Sequence, residues 1–142
     1  MADTNREPIV VTYEGGMSFA AQIRSHRLVV DQPEYAGGAD VGPMPLELFG
    51  AALGTCIAHY VRQFLQRRGL PYEGLRVEVE QHKATNPYRI AAFVARVVVP
   101  VPLSSATMTV LERVAQSCPA HGTLTHAADV LVSIEAATAA AA

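Results

Sequence analysis

The chain has 142 residues, enough for one domain that buries about two-thirds of the surface of its unfolded form. Half of the residues are hydrophobic, and the formal net charge is only -2. This balance predicts no basic surface for nucleic acid or for an anionic membrane, and no apolar run approaches the roughly 20 residues of a membrane span. The opening MADTNREP lacks a signal-peptide pattern. We therefore predict a single cytoplasmic domain over residues 8–136, with a tail at 1–7 and a disordered Ala-rich tail at 137–142.

Three short β segments with small-residue turns begin the chain. They cover residues 8–14, 18–24 and 27–31, and this spacing predicts an antiparallel meander. Residues 32–43 are rich in Gly and Pro and show no periodicity, which predicts a loop. We expect Asp40 to bind its own backbone in this loop, assisted by the conformational freedom of Gly37, Gly38 and Gly42.

Residues 43–69 predict a long, largely buried helix. Pro45 suits the first turn of this helix, and Glu47 is favoured there by the positive end of the helix dipole. Gly69 is a typical residue for its C-terminal end. Small residues just upstream of Cys56 would let another element approach closely. The helix is apolar over most of its circumference, and in so short a chain this favours a partner subunit. Its apolar stripe comprises Leu46, Phe49 or Gly50, Leu53, Ile57, Tyr60 or Val61, and Phe64 or Leu65.

The second half predicts a hairpin, two helices and a final strand. The hairpin covers residues 75–83 and 88–100, with a turn at Asn86-Pro87. Ser104 or Ser105 caps a helix that runs to Gln116. Cys118 follows as the N-cap of a short helix or turn at 120–127, and residues 129–135 predict the last strand. Together these elements predict an α+β fold with antiparallel sheets around a long central helix.

The two cysteines are the residues most able to carry chemistry. A cytoplasmic pair of this kind can be inert buried thiols, a redox pair or metal ligands. Cys118 lies at a helix N-terminus, which stabilises a thiolate, whereas Cys56 would need a cation from Arg24, Arg27 or Arg62. A peroxide-reducing thiol forms a sulfenic acid, which a second thiol converts to a disulfide. This pattern favours a thiol peroxidase.

A metal site is an alternative interpretation of the same cysteines. Cys56 and His59 form one C-x-x-H pair, and Cys118 and His121 form another. Two such pairs could make a Cys2His2 zinc site. Our first interpretation includes no metal and no cofactor.

Two motifs give the chain a resemblance to the OsmC/Ohr family. Residues 31–56, DQPEYAGGADVGPMPLELFGAALGTC, resemble the family's Gly-rich loop, Pro-x-Glu-Leu element and first cysteine. Residues 112–124, ERVAQSCPAHGTL, are similar to its helix-Cys-Pro-x-x-x-x-Leu motif. The resemblance implies an OsmC-like fold and a domain-swapped homodimer in which strands of each subunit complete the sheets of the other.

The resemblance also implies a function in stress response and detoxification, the thiol-dependent reduction of organic hydroperoxides and hydrogen peroxide. Cys56 would be the peroxidatic thiol and Cys118 the resolving thiol, and a dithiol, such as a lipoylated or thioredoxin-like protein, would supply the electrons. Family enzymes add an Arg and a Glu, for which Arg24 and Glu47 are the candidates here.

The chain departs from the family pattern at both of these positions. It has Pro-Leu-Glu-Leu-Phe where the organic hydroperoxide branch has Pro-Glu-Gln-Leu-Phe, so Leu46 occupies the usual acid position, and no Arg lies between residues 15 and 19. The alternative function is therefore a dimeric binding or redox protein without efficient peroxidase activity.

Overall fold

The computed structural model describes residues 7–138 and has the predicted mixed α+β architecture. Antiparallel strands form a three-stranded sheet and a two-stranded sheet, and a 23-residue helix joins them. The strands are β1 Val10–Gly15, β2 Ser18–Ile23, β3 His26–Val30, β4 Arg76–Thr85 and β5 Tyr88–Val98. The helices are α1 Pro45–Arg67, α2 Ser105–Gln116 and α3 Pro119–Thr125, and a 3-10 turn lies at Glu34–Ala36.

The N-terminal meander is confirmed, with strand order β1-β2-β3 and antiparallel pairing throughout. Its strands contact mainly one another. Both sides of β1 expose apolar side chains, because Val10, Val11 and Tyr13 are each more than half exposed. Arg24, in the tight β2–β3 turn, adopts a φ of 54°, a left-handed conformation that is uncommon for a residue other than glycine.

The Gly-rich loop after β3 is organised by Asp31, and the prediction that Asp40 does this was wrong. The Asp31 side chain is buried, and its carboxylate accepts hydrogen bonds from the backbone N–H groups of Gln32, Ala39 and Val41. Asp40 is exposed and donates its backbone N–H to the Gln32 carbonyl. A carboxylate that accepts three backbone hydrogen bonds holds the two ends of the loop together. An exposed carboxylate stays hydrogen-bonded to water instead.

The loop glycines include two positions of close backbone approach. A Cβ on Gly38 would lie 1.8 Å from the Gln32 carbonyl oxygen, and a Cβ on Gly42 would lie 2.2 Å from that of Val29. Any larger residue at either position would therefore require the backbone to move. The predicted loop is thus a tightly folded segment that delivers the chain to α1.

Helix α1 forms the centre of the core, as predicted. One stripe of its side chains is buried, and Val61 and Leu65 are completely inaccessible to solvent. The opposite stripe is exposed and includes Phe49, so a single chain covers only one side of the helix. In the part of the chain that the structure describes, no helix is apolar over a length sufficient to cross a membrane. The buried stripe consists of Gly50, Leu53, Gly54, Ile57, Val61 and Leu65.

Strand β4 is the element that approaches the small residues of α1. A Cβ on Gly54 would lie 3.1 Å from Val79 Cγ2, and one on Gly50 would lie 2.7 Å from Gln81 Oε1. The Gln81 side chain donates to the Leu46 carbonyl in the first turn of α1. The two glycines therefore allow the hairpin to pack directly on the helix.

Helices α2 and α3 follow the hairpin, and the caps predicted for them are confirmed. Ser104 caps α2 by accepting the N–H of Thr107, and Cys118 caps α3. The prediction of a final strand at residues 129–135 was wrong for the single chain, because this segment pairs with no strand. Its apolar side chains are 82% to 95% exposed, so an isolated chain offers them no sheet edge or core. The prediction of a frayed Ala-rich tail falls partly on residues 139–142, which lie outside the described residues.

Candidate active site

The fold brings the two cysteines together. Cys56 projects from the middle of α1 and is half-buried, whereas Cys118 is 1% exposed at the start of α3. The core cluster around α1 includes Cys118, and Cys56 packs against that cluster. Helices α1 and α3 are in direct contact, and the Cys56 side chain is a hydrogen-bonding neighbour of the Cys118 thiol although the two are distant in sequence. Neither cysteine is in a disulfide.

The environment of Cys118 favours its neutral form. Burial raises the pKa of the Cys118 thiol above its usual range, the hydrogen bond from the His121 N–H opposes this effect, and the neighbouring Cys56 raises the pKa further. The His121 nitrogen lies 3.3 Å from Cys118 Sγ. Cys118 is therefore a protonated thiol at neutral pH, and of the two cysteines Cys56 is the more accessible to a small oxidant.

A cavity of about 950 Å³ lies between β5 and the three helices; residues adjacent to both cysteines line it, although the two thiols themselves do not. Leu53 and Ile57, which flank Cys56 along α1, contribute to one wall. His121, Leu124 and Thr125 of α3 contribute to another. The remaining lining combines apolar side chains with the charged Arg96 and Glu112; the apolar ones include Phe93, Val97, Leu103, Met108 and Leu111.

Glu47 lies at the first turn of α1, on the side of the helix away from Cys56. Nine residues separate the two positions, and at about 100° per residue this spacing is about half a turn. The Glu47 carboxylate accepts the Met44 N–H at 2.9 Å, which satisfies a free donor at the helix start. It also lines a second cavity of about 650 Å³ beside β4. Its observed contact is therefore a helix cap, and its catalytic role stays a prediction.

The three candidate arginines differ in their partners. Arg27 forms an ion pair with Glu14, and Arg62 stacks on the ring of Tyr72 at 4.8 Å. Within residues 7–138, Arg24 makes no ion pair, and no arginine hydrogen-bonds to either thiol. Among the three, Arg24 is the one whose guanidinium has no charged or aromatic partner within the described residues, and its role also stays a prediction.

The zinc alternative finds no support in the geometry. Across the described part of the chain, no three His, Cys, Asp or Glu side chains are placed to hold a metal ion. His59 is exposed on α1, and the His121 side chain lines the cavity.

Comparison with known proteins agrees with this fold. A family model described as OsmC-like protein matches residues 37–133, which include both cysteines. The chain belongs to the OsmC-like family. No curated protein matches this OsmC-like chain in sequence.

Solved structures of OsmC-like proteins share the fold at low sequence identity. One is a putative osmotic stress induced and detoxification response protein from Psychrobacter arcticus, with 18% identity and a TM-score of 0.76, covering 87% of this chain and 91% of the other. An OsmC-like protein from Mycoplasma pneumoniae has 18% identity and a TM-score of 0.67, covering 86% and 90%. The organic hydroperoxide resistance protein OhrB of Bacillus subtilis has 18% identity and a TM-score of 0.55, covering 82% and 90%.

Two features of this OsmC-like structure were missed from the sequence. Asp31 was assigned only to the end of a strand, although an Asp between a strand and a Gly-rich loop is a signal for a loop-binding carboxylate. The cavity was not predicted at all. Its lining comes from β5, α1, α2 and α3, and no local pattern indicates how such elements meet.

Proposed function

We propose that this OsmC-like chain is a two-cysteine hydroperoxide reductase. The observation that carries the proposal is the proximity of a half-buried thiol on α1 to a buried thiol that caps α3, with residues adjacent to each of them lining one cavity. Family membership supports the same function, since the family includes organic hydroperoxide resistance proteins.

In the proposed cycle, Cys56 attacks first. Its thiolate bonds to the outer peroxide oxygen, the O–O bond breaks, and the departing alkoxide takes a proton to leave as an alcohol. Cys56 is then a sulfenic acid. The Cys118 thiol attacks the Cys56 sulfur, a disulfide forms, and the hydroxyl group leaves with the Cys118 proton as water. A dithiol reductant restores both thiols and becomes a disulfide itself.

The environments of the two thiols support this division of roles. A buried thiol with a raised pKa is a poor first nucleophile, and Cys118 fits the resolving role, in which its target is an adjacent sulfenic acid. Cys56 has the exposure that a peroxide needs. For its cation we propose Arg24, because the other two arginines already have partners.

We also propose that the active form is a domain-swapped homodimer. The apolar segment at 129–135, the exposed β1 side chains and the uncovered side of α1 all lie open in one chain. Burying each large aliphatic side chain contributes about 1.5–3 kcal/mol, so a second copy that covers these surfaces would be strongly favoured. The dimer would also bring the Arg24 turn of one subunit against the helices of the other.

The test is peroxide consumption by the purified protein with a dithiol reductant. Wild type should consume an organic hydroperoxide, Cys56→Ser should not, and Cys118→Ser should react once without forming an intramolecular disulfide. Cys56→Ser keeps the shape of the side chain, so it serves as a matched control for loss of the thiol alone. Equal, negligible consumption by wild type and Cys56→Ser would contradict the proposal.

A second candidate, a dimeric binding or redox protein without efficient peroxidase activity, has one observation in its favour. Leu46 occupies the family's acid position, and the Glu47 carboxylate is engaged as a helix cap. In this case Cys56 would react with alkylating agents like an ordinary free thiol at every pH. A rate at pH 6 well above that of a free thiol peptide would rule this candidate out.

A further inference from the structure

Helix α3 depends on the sulfur of Cys118 for its start. The helix has seven residues, with Pro119 at its first position, and Cys118 Sγ accepts the N–H of His121. A helix this short has little intrinsic stability, because forming its first turn is costly. Its N-cap therefore contributes much of what holds the first turn in place.

The same sulfur is the one that must bond to Cys56 in the proposed cycle. Both sulfurs would have to approach to covalent distance. Either Cys118 Sγ leaves the His121 N–H, or α3 moves toward α1 with it. In the first case the first turn of α3 loses its cap, and in the second the whole helix shifts.

Helix α3 also forms part of the cavity. His121 in its first turn and Leu124 and Thr125 in its last turn line the cavity, as do Leu53 and Ile57 on α1. Any movement or fraying of α3 therefore changes the shape of the cavity directly.

We propose that α3 is a redox-sensitive wall of the cavity and that the first of these two routes is taken: on forming the Cys56–Cys118 disulfide, Cys118 Sγ leaves the His121 N–H, so α3 loses its sulfur cap and its cavity-lining residues are displaced. This inference rests on the proposed function only in requiring that the two thiols can form a disulfide. The reduced form presents the ordered cavity to an apolar peroxide. The oxidised form loosens the wall, which favours release of the alcohol and opens the disulfide to a dithiol.

The test is amide hydrogen exchange over residues 119–126, in protein reduced with a phosphine and in protein oxidised with diamide. Diamide takes two electrons and two protons from the thiols to become a hydrazine, so no peroxidase activity is needed. We expect exchange in α3 to become about fivefold faster on oxidation, the size of effect that loss of one N-cap gives. Exchange in the β4–β5 hairpin serves as the internal reference.

Three variants separate the sulfur cap from other effects. Cys56→Ser cannot form the disulfide, so diamide should leave its α3 exchange unchanged. In reduced protein, Cys118→Ser keeps a capping side chain and should exchange like wild type, whereas Cys118→Ala should exchange like the oxidised form. Failure of diamide to form the intramolecular disulfide would overturn the inference, as would an oxidised α3 with unchanged exchange. A wild type without peroxidase activity but with the expected exchange would refute the proposed function alone.

Discussion

Asp31 shows how one residue can fix the conformation of a loop. Its three backbone hydrogen bonds hold the segment between β3 and α1, and they come from residues on both sides of the Gly-rich turn. The backbone hydrogen bond from Gln32 is the largest cause that holds the pKa of the Asp31 carboxyl below its usual range, with Val41 and Ala39 acting in the same direction against burial. The folded state therefore favours the ionised form of the Asp31 side chain.

Replacing Asp31 with Asn should destabilise the protein in a pH-dependent way. Because the folded pKa is lowered, the stabilisation by Asp31 is present above its ordinary value of 3.8 and is lost as the pH falls through the folded value. The stability gap between wild type and Asp31→Asn should therefore be widest near neutral pH and narrow in acid, as measured by urea unfolding across pH. Asp40→Asn, at an exposed position in the same loop, should show no such gap, and a gap independent of pH for Asp31→Asn would contradict the assignment.

Arg24 is the residue whose positive charge we expect to affect the reaction of Cys56 most. Its replacement by Gln removes the cation but keeps a polar side chain of similar length. We expect Arg24→Gln to slow the reaction of Cys56 with an organic hydroperoxide at least about tenfold, because a guanidinium stabilises both the thiolate and the departing oxygen. Stopped-flow measurement of the first turnover gives the rate. The control is Arg27→Gln, because Arg27 lies three residues further along and is paired with Glu14 in the wild type. This variant should react at the wild-type rate, and equal rates for the two variants would exclude Arg24 as the cation that activates Cys56.

At the scale of elements, α1 is the scaffold on which the site is built. It carries Cys56, contacts β4, β5, α2 and α3, and buries a continuous stripe beneath them. Leu65 is completely buried near the end of this stripe, where the chain turns toward the hairpin. Packing at that end fixes the direction in which the hairpin returns along the helix.

Truncating Leu65 to Ala should cost about 2–5 kcal/mol of stability, the range typical of a large-to-small change in a close-packed core. Denaturant unfolding followed by circular dichroism measures this loss. Gln63→Ala, at an exposed position on the same helix, should stay within about 0.5 kcal/mol of wild type. A loss below about 1 kcal/mol for Leu65→Ala would mean that the C-terminal part of α1 is not the core of the folded protein.

At the scale of the whole molecule, one chain leaves too much apolar surface uncovered. Val130, Val132 and Ile134 alternate in sequence, so they would share one face of a strand, and all three are more than four-fifths exposed. This is the pattern of a strand without a sheet. The second copy proposed here would provide that sheet.

Charges placed on this face should therefore prevent assembly. We expect wild type to sediment as a dimer and the double variant Val132→Asp/Ile134→Asp to sediment as a monomer at the same concentration, because burying two carboxylates in an apolar interface is strongly unfavourable. Ser133→Asp puts one such charge on the opposite face and should leave the dimer intact. A monomeric wild type, or a double variant that stays dimeric, would contradict the proposed dimer.

The sequence by itself determined the local elements, because their causes are local. Helical periodicity predicted α1, and turn residues predicted the meander and the hairpin. The capping residues Ser104 and Cys118 predicted where α2 and α3 begin. The two motifs and their order indicated the family. Only the tertiary structure decided that Cys118 is buried against Cys56, that Asp31 rather than Asp40 binds the loop, and that residues 129–135 have no strand to pair with in one chain. Each of these depends on contacts between residues far apart in the chain, and neither spacing nor composition encodes such contacts directly.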